Sequence, residues 1–396
     1  MWQTIWLGDV CTISSSKRIF AKEYQTEGIP FYRGKEVIEK HNGNKVSTEL
    51  FISPKRYEEI KGKYEVPKKG DILLTSVGTL GIPWLVDEDN FYFKDGNLTW
   101  LRCNTQILPS YLYLWLNSAE AQNQIDVKCI GSTQKALTIE TLNKFQITLP
   151  SLELQKKIVA VINPIESRIN INRSVNENLE QQAQGYFQKL FVDNADPEWT
   201  TGTISDLGTV VGGSTPSKAK PEYYTETGIA WITPKDLSIN KSKFVSHGEN
   251  DITELGLKNS SATIMPEGTV LFSSRAPIGY IAIAAGEVTT NQGFKSVVPK
   301  SEVGTPFVYF FLKNTLPLIE GMASGSTFKE VSGSTMKNVP AVIPDAETLA
   351  KFSDFCTPIF AQQCILEGQN QSLATLRDNL VPKLMSGEID VSKLDI

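Results

Sequence analysis

Histidine is almost missing from this sequence: only His41 and His247 occur in 396 residues. A histidine-rich zinc site, or a serine or cysteine nucleophile activated by a neighbouring imidazole, needs more of them and in context. The five cysteines (Cys11, Cys103, Cys129, Cys356, Cys364) form no CxxC pair and leave one unpaired under any pairing, which reads as reduced thiols in a reducing compartment. No apolar run approaches the ~18 residues that span a bilayer, and no basic-then-apolar leader opens the chain, so a cytoplasmic location without membrane contact is expected. Phosphate loops are lacking too. "VVGGSTPSK" (Val210–Lys218) misses the GxxxxGK[ST] spacing, and its counterpart "VCTISSSKR" (Val10–Arg18) has no glycine. Gly70, Gly78 and Gly81 do not make a GxGxxG. No NPPY-like or DPPY-like tetrapeptide occurs, "DPEW" from Asp196 being a linker. No metal site is expected, and no pair of carboxylates is singled out for catalysis.

A strong basic surplus is lacking as well, since the net charge is −5. The deficit is uneven. Residues 1–150 hold 18 basic and 17 acidic side chains, and residues 199–344 hold 12 of each. The acidic excess sits in 151–198 and 345–396. The two larger blocks can each present a local basic face, so a polyanion remains an admissible partner.

What the sequence does contain is itself, twice. "GSTQKALTIETLNKFQITLP" (Gly131–Pro150) and "GSTFKEVSGSTMKNVPAVIP" (Gly325–Pro344) share six identities at an offset of 194. Upstream, "WLGDV" (Trp6–Val10) meets "DLGTV" (Asp206–Val210) at 200, where Gly28 also falls on Gly228 and Lys35 on Lys235. "KKGDILLTSVGTLGIPWLV" (Lys68–Val86) meets "PEGTVLFSSRAPIGYIAIA" (Pro266–Ala284) at 198, with Gly81 on Gly279. "YLYLWL" (Tyr111–Leu116) meets "FVYFFL" (Phe307–Leu312) at 196. Two copies at a period near 200 exclude solenoids and propellers and describe a duplicated module. The shrinking offset places about six extra residues in first-copy loops. Short β-rich runs entered through glycine turns, with a helical pattern from Tyr111 and from Phe307, make each globular block α+β.

Each block is followed by a long helical pattern. "PSLE" (Pro150–Glu153) and "PDAE" (Pro344–Glu347) each put a capping Ser or Asp after proline and a Glu in the first turn. Steps of four and three then mark one seam, Ile158, Ile162, Ile165, Ile169, Asn172, Asn176, Leu179, Ala183, Tyr186 and Leu190. Its counterpart 194 residues on is Phe352, Cys356, Ile359, Gln363, Leu366, Asn370, Leu373, Arg377, Leu380 and Leu384. Asn176 and Asn370 are equivalent. A seam asparagine sets register at a cost in stability; the alternative is that Asn172 and Asn176 face solvent. Pro164 and Pro358 are equivalent as well and predict a kink or a restart in each helix. A helix from Glu153 to Phe191 would span ~58 Å at ~1.5 Å per residue. The expected architecture is α+β: two tandem domains (1–150 and 196–344), each followed by a long helical region (151–195 and 345–388), then a tail (389–396). The helices are expected to pair as an antiparallel coiled coil with pseudo-twofold symmetry.

This layout resembles the specificity subunit of type I restriction–modification systems. The resemblance is carried by the two GST-x-K stretches ending in proline, the helices behind them, and the helix endings "YFQKLFVD" (Tyr186–Asp193) and "LVPKLMSGEID" (Leu380–Asp390). "GIPF" with "GDILLTSVGTLG", and "GIAWITPKDL", resemble target-recognition domains of that family. The resemblance implies a non-catalytic subunit in which each recognition domain reads one half of a split double-stranded DNA target. The paired helices set the unread gap and dock two methyltransferase subunits, and restriction subunits join through them. S-adenosylmethionine, ATP and magnesium are then expected on the partners and no cofactor on this chain. The competing readings are a methyltransferase or nuclease with its own catalytic site, and a protein-interaction scaffold.

Reading bases and phosphates wants Arg, Lys or Thr on loops. The candidates are Lys17, Arg18, Arg33, Lys35, Lys61 and Lys63 in the first domain. In the second they are Lys218, Lys220, Thr233, Lys235, Lys241, Lys243 and Arg275. "IKGKYEV" around Lys61 and Lys63, and "NKSKF" around Lys241 and Lys243, each set a basic pair beside an aromatic. Lys135 and Lys329, in the shared motif, are read as structural or subunit-facing.

Overall fold

A computed structural model describes residues 2–44, 46–128, 136–325 and 329–394 of the chain. Residues 131–135 and 326–328 of the repeated stretch lie outside them, as do Cys129 and Lys135. The chain forms two compact units, Met1–Ile171 with Gln371–Ile396, and Asn172–Asn370. The division falls inside both long helices, not at their ends, so each unit contains one globular block and a piece of each helix.

In the first unit the main sheet runs Cys11–Ser14, Leu98–Cys103, Ile72–Thr75, Pro83–Leu85, all antiparallel. Ile72–Thr75 is buried at every position, as an inner strand covered on both faces must be. A second, three-stranded sheet sets Ile29–Tyr32 between Phe51–Ile52 and Tyr92–Phe93, the latter pairing parallel. Gln3–Trp6 pairs with Gln146–Leu149 and brings the start of the block beside the entrance to the first long helix.

The second unit repeats this plan. Gly208–Gly212, Lys295–Pro299, Val270–Ser274 and Ile278–Ala284 lie in the same order, and Phe244–Val245 adds a fifth, parallel edge strand. Trp231–Ile232 pairs parallel with Thr289–Thr290, the counterpart of Ile29–Tyr32 with Tyr92–Phe93. Thr200–Thr203 pairs with Pro340–Ile343 as Gln3–Trp6 pairs with Gln146–Leu149. Shared strand order and shared handling of both termini are what a duplicated module requires.

The helical pattern from Tyr111 divides into Pro109–Leu116 and Ala119–Lys128, whereas its counterpart is a single helix, Thr305–Gly321. Asn117 caps the first piece and the Ser118 hydroxyl accepts from the Ala121 amide to begin the second. Short polar side chains compete with the backbone in this way.

The first long helix runs Leu152–Gln188 and widens into a π turn at Lys189–Asp193; the second runs Ala346–Ser386. Neither restarts at its proline, Pro164 or Pro358. Ser151 and Asp345 both cap. The Ser151 hydroxyl accepts from the Leu154 amide, and Asp345 accepts from the Thr348 amide at 2.8 Å and from the Trp199 indole at 3.0 Å. The Thr348 amide and hydroxyl hold the Asp345 carboxyl down at about 2.

Within each unit the helix pieces run antiparallel. In the first, Glu166 meets Arg377 at 3.0 Å and the Lys157 ammonium reaches the Ser392 carbonyl. In the second, Asn172 meets Asn370 while Tyr186 stacks on Phe352. Of the seam positions, Ile158, Ile162, Ile169, Phe352, Leu366 and Leu384 are buried. Ile165, Asn176, Leu179, Leu190, Ile359, Asn370, Leu373 and Leu380 are half-buried, and none is exposed. Ile158 and Ile162 join Val381 and Leu384 in the core of the first unit, and Phe187 and Phe352 join Phe310 in that of the second.

Candidate nucleic-acid interface

On the first domain, Lys17 and Arg18 follow the strand Cys11–Ser14 in a loop that is tied down on both sides. The Ser16 hydroxyl donates to the Phe93 carbonyl and the Lys17 amide to the Tyr92 hydroxyl, each at 2.8 Å. The helix Pro54–Lys63 approaches this loop. It starts at a Ser53 cap with proline at its first position, and it ends at Tyr64, which is 49% exposed. The Lys17 ammonium lies 4.4 Å from the Tyr64 ring, so the loop and the Lys61–Lys63 end of the helix form one basic and aromatic surface. Arg102 continues it. Its guanidinium sits 4.3 Å over the Trp100 ring, donates to the Ser14 hydroxyl and pairs with Glu65, while its Nε is buried without an acceptor. Arg102 and Trp100 were not singled out by the sequence, whereas Tyr64 is the aromatic of "IKGKYEV". Arg102 and Trp100 share one face of the strand Leu98–Cys103, and only the fold pairs that strand with Cys11–Ser14, which leads into the Lys17 loop.

Arg33 and Lys35 sit elsewhere. Arg33 is the N-cap of the helix Gly34–His41; its amide and guanidinium both donate to Glu36, which is completely buried. Lys35 reaches Glu39 one turn on. Thr233 stands in the same place in the second domain. It caps Pro234–Ile239, accepting from the Asp236 amide and donating to the Asp236 carboxylate at 2.6 Å. Arg33 and Thr233 are therefore helix caps with donors committed to Glu36 and Asp236, a correction to their reading as loop residues. A capping box uses the same residue types that read bases, so the sequence alone does not separate the two.

In the second domain Lys218 and Lys220 lie exposed in the loop before the turn Pro221–Tyr223. That loop is anchored from below: the Trp231 indole donates to the Ser214 carbonyl and the Tyr224 hydroxyl to the Pro216 carbonyl. Lys220 reaches Glu222 at 3.5 Å. Lys235 pairs with Glu249 on the surface. Lys241 is exposed, its ammonium 4.8 Å from the Tyr280 ring. Arg275, half-buried, shares Glu330 with Lys295.

Lys243 is the second correction. It is only 8% exposed, with its ammonium 2.8 Å from the Glu180 carboxylate, 2.9 Å from the Gln363 amide oxygen and 3.3 Å from the centroid of the Phe360 ring. Glu180 comes from the first long helix and Gln363 and Phe360 from the second. Glu180 also receives Lys313 at 2.6 Å and the Tyr309 hydroxyl at 3.2 Å. Glu367 completes the cluster by accepting the backbone amides of Lys243 and Phe244. Burial lowers the Lys243 ammonium to about 8, against the pull of Glu180. For Glu180, burial works upward but Lys243 and Lys313 outweigh it, and the carboxyl stays below its usual range. Lys243 therefore joins its domain to both helices and is almost wholly enclosed.

Among the described residues, no group of three or more His, Cys, Asp or Glu is arranged to hold a metal, and no helix is long and apolar enough to cross a membrane. His41 contacts the Pro83 carbonyl and His247 the Asp251 carboxylate. The family described as Type I restriction modification DNA specificity domain matches the sequence twice, over residues 1–181 and 197–375. The chain belongs to that family. Its two family domains coincide with the two globular blocks and run on into the long helices.

Among its relatives is the type I restriction enzyme MjaIX specificity subunit of Methanocaldococcus jannaschii. It is 41% identical over 169 residues, which are 42% of this chain and 39% of that protein, so the match spans about two fifths of the relative's length. The HindI specificity subunit of Haemophilus influenzae is 24% identical over 402 aligned residues, covering 81% of this chain and 87% of that one. Among solved structures, the S subunit of a type I restriction–modification system from M. genitalium has the same fold. Its TM-score is 0.59 at 16% identity, covering 97% of this chain and 96% of that one.

Proposed function

We propose that this specificity-family chain is the sequence-specific DNA-recognition subunit of a type I restriction–modification complex. Each recognition domain reads one half of a bipartite double-stranded target. One observation carries the reading: the family domain occurs twice in one chain, on the same strand order, with different side chains on its surface loops. An asymmetric split site calls for two readers on one scaffold.

The chain itself is non-catalytic in this reading. Two methyltransferase subunits dock on the long helices and the restriction subunits join through them, in the cytoplasm. S-adenosylmethionine, ATP and magnesium belong to those partners. The helices hold the readers apart and so set the unread gap. The weak net charge fits a subunit whose partners supply much of the phosphate attraction.

The test mixes the purified chain with its methyltransferase partner and titrates duplex DNA. Sequence-specific binding and methylation that need both proteins support the proposal. Methyl transfer by this chain alone would make it an enzyme, and no DNA effect in either state would leave a scaffold.

A further inference from the structure

Lys243 is gripped by more groups than a buried lysine needs for neutrality. The ammonium has one carboxylate, one amide oxygen and the face of an aromatic ring within 3.3 Å. Its own backbone amide and the next one are held by a second carboxylate, Glu367. These contacts seize the edge strand Phe244–Val245, which pairs with Ile278–Ala284 of the main sheet. Lys241, two residues before Lys243, lies over Tyr280 of that same sheet strand. Any tilt of the second domain on the helix pair must break the grip, and removing one partner from a buried ion pair leaves an uncompensated charge.

The first copy cannot build the same grip from its helices. Shifting by 194, the positions of Glu180, Gln363 and Glu367 become Ala374, Ile169 and Arg173, none of which can receive an ammonium. A contact needed merely to attach a recognition domain would be expected in both copies.

Resting on the reading of the chain as a two-headed DNA-recognition subunit, we infer that Lys243 is a positioning residue: it fixes the angle of the second recognition domain on the helix pair and thereby narrows the gap lengths accepted between half-sites. It touches no DNA.

The experiment uses the full chain with its methyltransferase partner. The substrates are duplexes carrying the bipartite motif found methylated in the host's DNA, with the gap lengthened or shortened by one base pair, and a second set with either half-site scrambled. Lys243→Met keeps the apolar stem and removes the ammonium. It is expected to lower discrimination against the wrong gap by about tenfold, the scale of one misplaced contact, with discrimination against both scrambled half-sites unchanged. Should Lys243→Met fail to fold, Gln363→Met removes one acceptor at constant volume and is expected to act in the same direction. A folded variant with wild-type gap discrimination overturns the inference, as does loss of discrimination at the half-site itself. A wild-type complex that distinguishes neither gaps nor half-sites overturns the functional reading first, and that result is visible before any variant is made.

Discussion

The Asn172 side-chain amide donates to the Asn370 carbonyl oxygen at 2.9 Å across the two long helices, with Asn172 only 1% exposed. Four residues along, the Asn176 carbonyl oxygen is buried without a partner, although the Asn176 backbone accepts from Gln363. These neighbours should respond oppositely to the same change. Asn172→Leu strands Asn370 and is expected to cost about 1–3 kcal/mol; the double change with Asn370→Leu is expected to recover most of that. Asn176→Leu removes an orphaned oxygen and is expected to be neutral or stabilising. Thermal unfolding of the three single variants and the Asn172/Asn370 pair forms the cycle; a stabilised Asn172→Leu would contradict it.

Gly81 and Gly279 are repeat equivalents, and the structure gives both the same duty. Each has positive φ, +74° and +94°; Gly81 lies in the loop between the hairpin strands Ile72–Thr75 and Pro83–Leu85, and Gly279 at the irregular start of the returning strand Ile278–Ala284. A Cβ would lie 2.4 Å from Ile125 at Gly81 and 2.6 Å from Leu316 at Gly279. Left-handed backbone alone costs a non-glycine residue about 1–2 kcal/mol, and the close helix adds to it. Gly81→Ala and Gly279→Ala are each expected to lower stability by at least that much, checked by chemical denaturation; a neutral change at both would show that the turn tolerates a side chain.

Periodicity carried much of this into the sequence. Glycines at turns, apolar strands and the seam recur at fixed spacing because the backbone demands them at fixed geometry, so Gly81 announced Gly279 and Phe352 followed from Ile158. Side-chain partnership has no such spacing. Asn172, not its repeat-matched neighbour Asn176, is the residue that meets Asn370, since the choice depends on helix rotation. "NKSKF" and "IKGKYEV" read alike, yet Lys61 and Lys63 are exposed while Lys243 is enclosed by groups 63 to 124 residues away in sequence. Likewise Cys11 and Cys103, 4.0 Å apart on neighbouring strands, have nothing local to link them.

The enclosure of Lys243 has a signed consequence for stability. Its ammonium is lowered to about 8 by burial, while in the unfolded chain a lysine titrates near ~10.4. Between those values the unfolded chain holds a proton that the folded chain has partly released. Stability from this group therefore rises with pH across that window, with a slope of at most ~1.4 kcal/mol per pH unit. Of the groups around it, Glu180 stays ionised throughout, burial and Glu180 push the Tyr309 hydroxyl well above its usual value, and burial pushes the Cys356 thiol up to about 12. Burial raises the Glu367 carboxyl, against the two backbone amides it accepts from Lys243 and Phe244. Lys313, on the far side of Glu180, is present in both proteins compared. Denaturation of the wild type and of Lys243→Met from pH 7 to 10 should show the wild type gaining on the variant as pH rises; parallel curves would mean that the ammonium keeps its ordinary affinity for protons.

The basic surface of the first domain should reveal itself through salt. Lys17 lies against Tyr64, and Lys61 and Lys63 are exposed at the end of the helix that Tyr64 closes, Lys61 with Glu58 at 3.7 Å. A lysine that neutralises a phosphate releases a condensed counterion, so each Lys→Ala change here is expected to reduce the slope of log affinity against log salt by about 1. Arg33→Ala is expected to leave that slope alone, because its guanidinium is held by the completely buried Glu36. Arg102 differs again: its guanidinium is stacked on Trp100 and carries a buried Nε without an acceptor. Arg102→Ala is expected to weaken preference at a single base pair of one half-site, by about 1–3 kcal/mol, with little change in salt slope. Binding isotherms on cognate and singly substituted duplexes between low and moderate salt separate these outcomes, and equal slopes for all of these variants would move the DNA to another face of the domain.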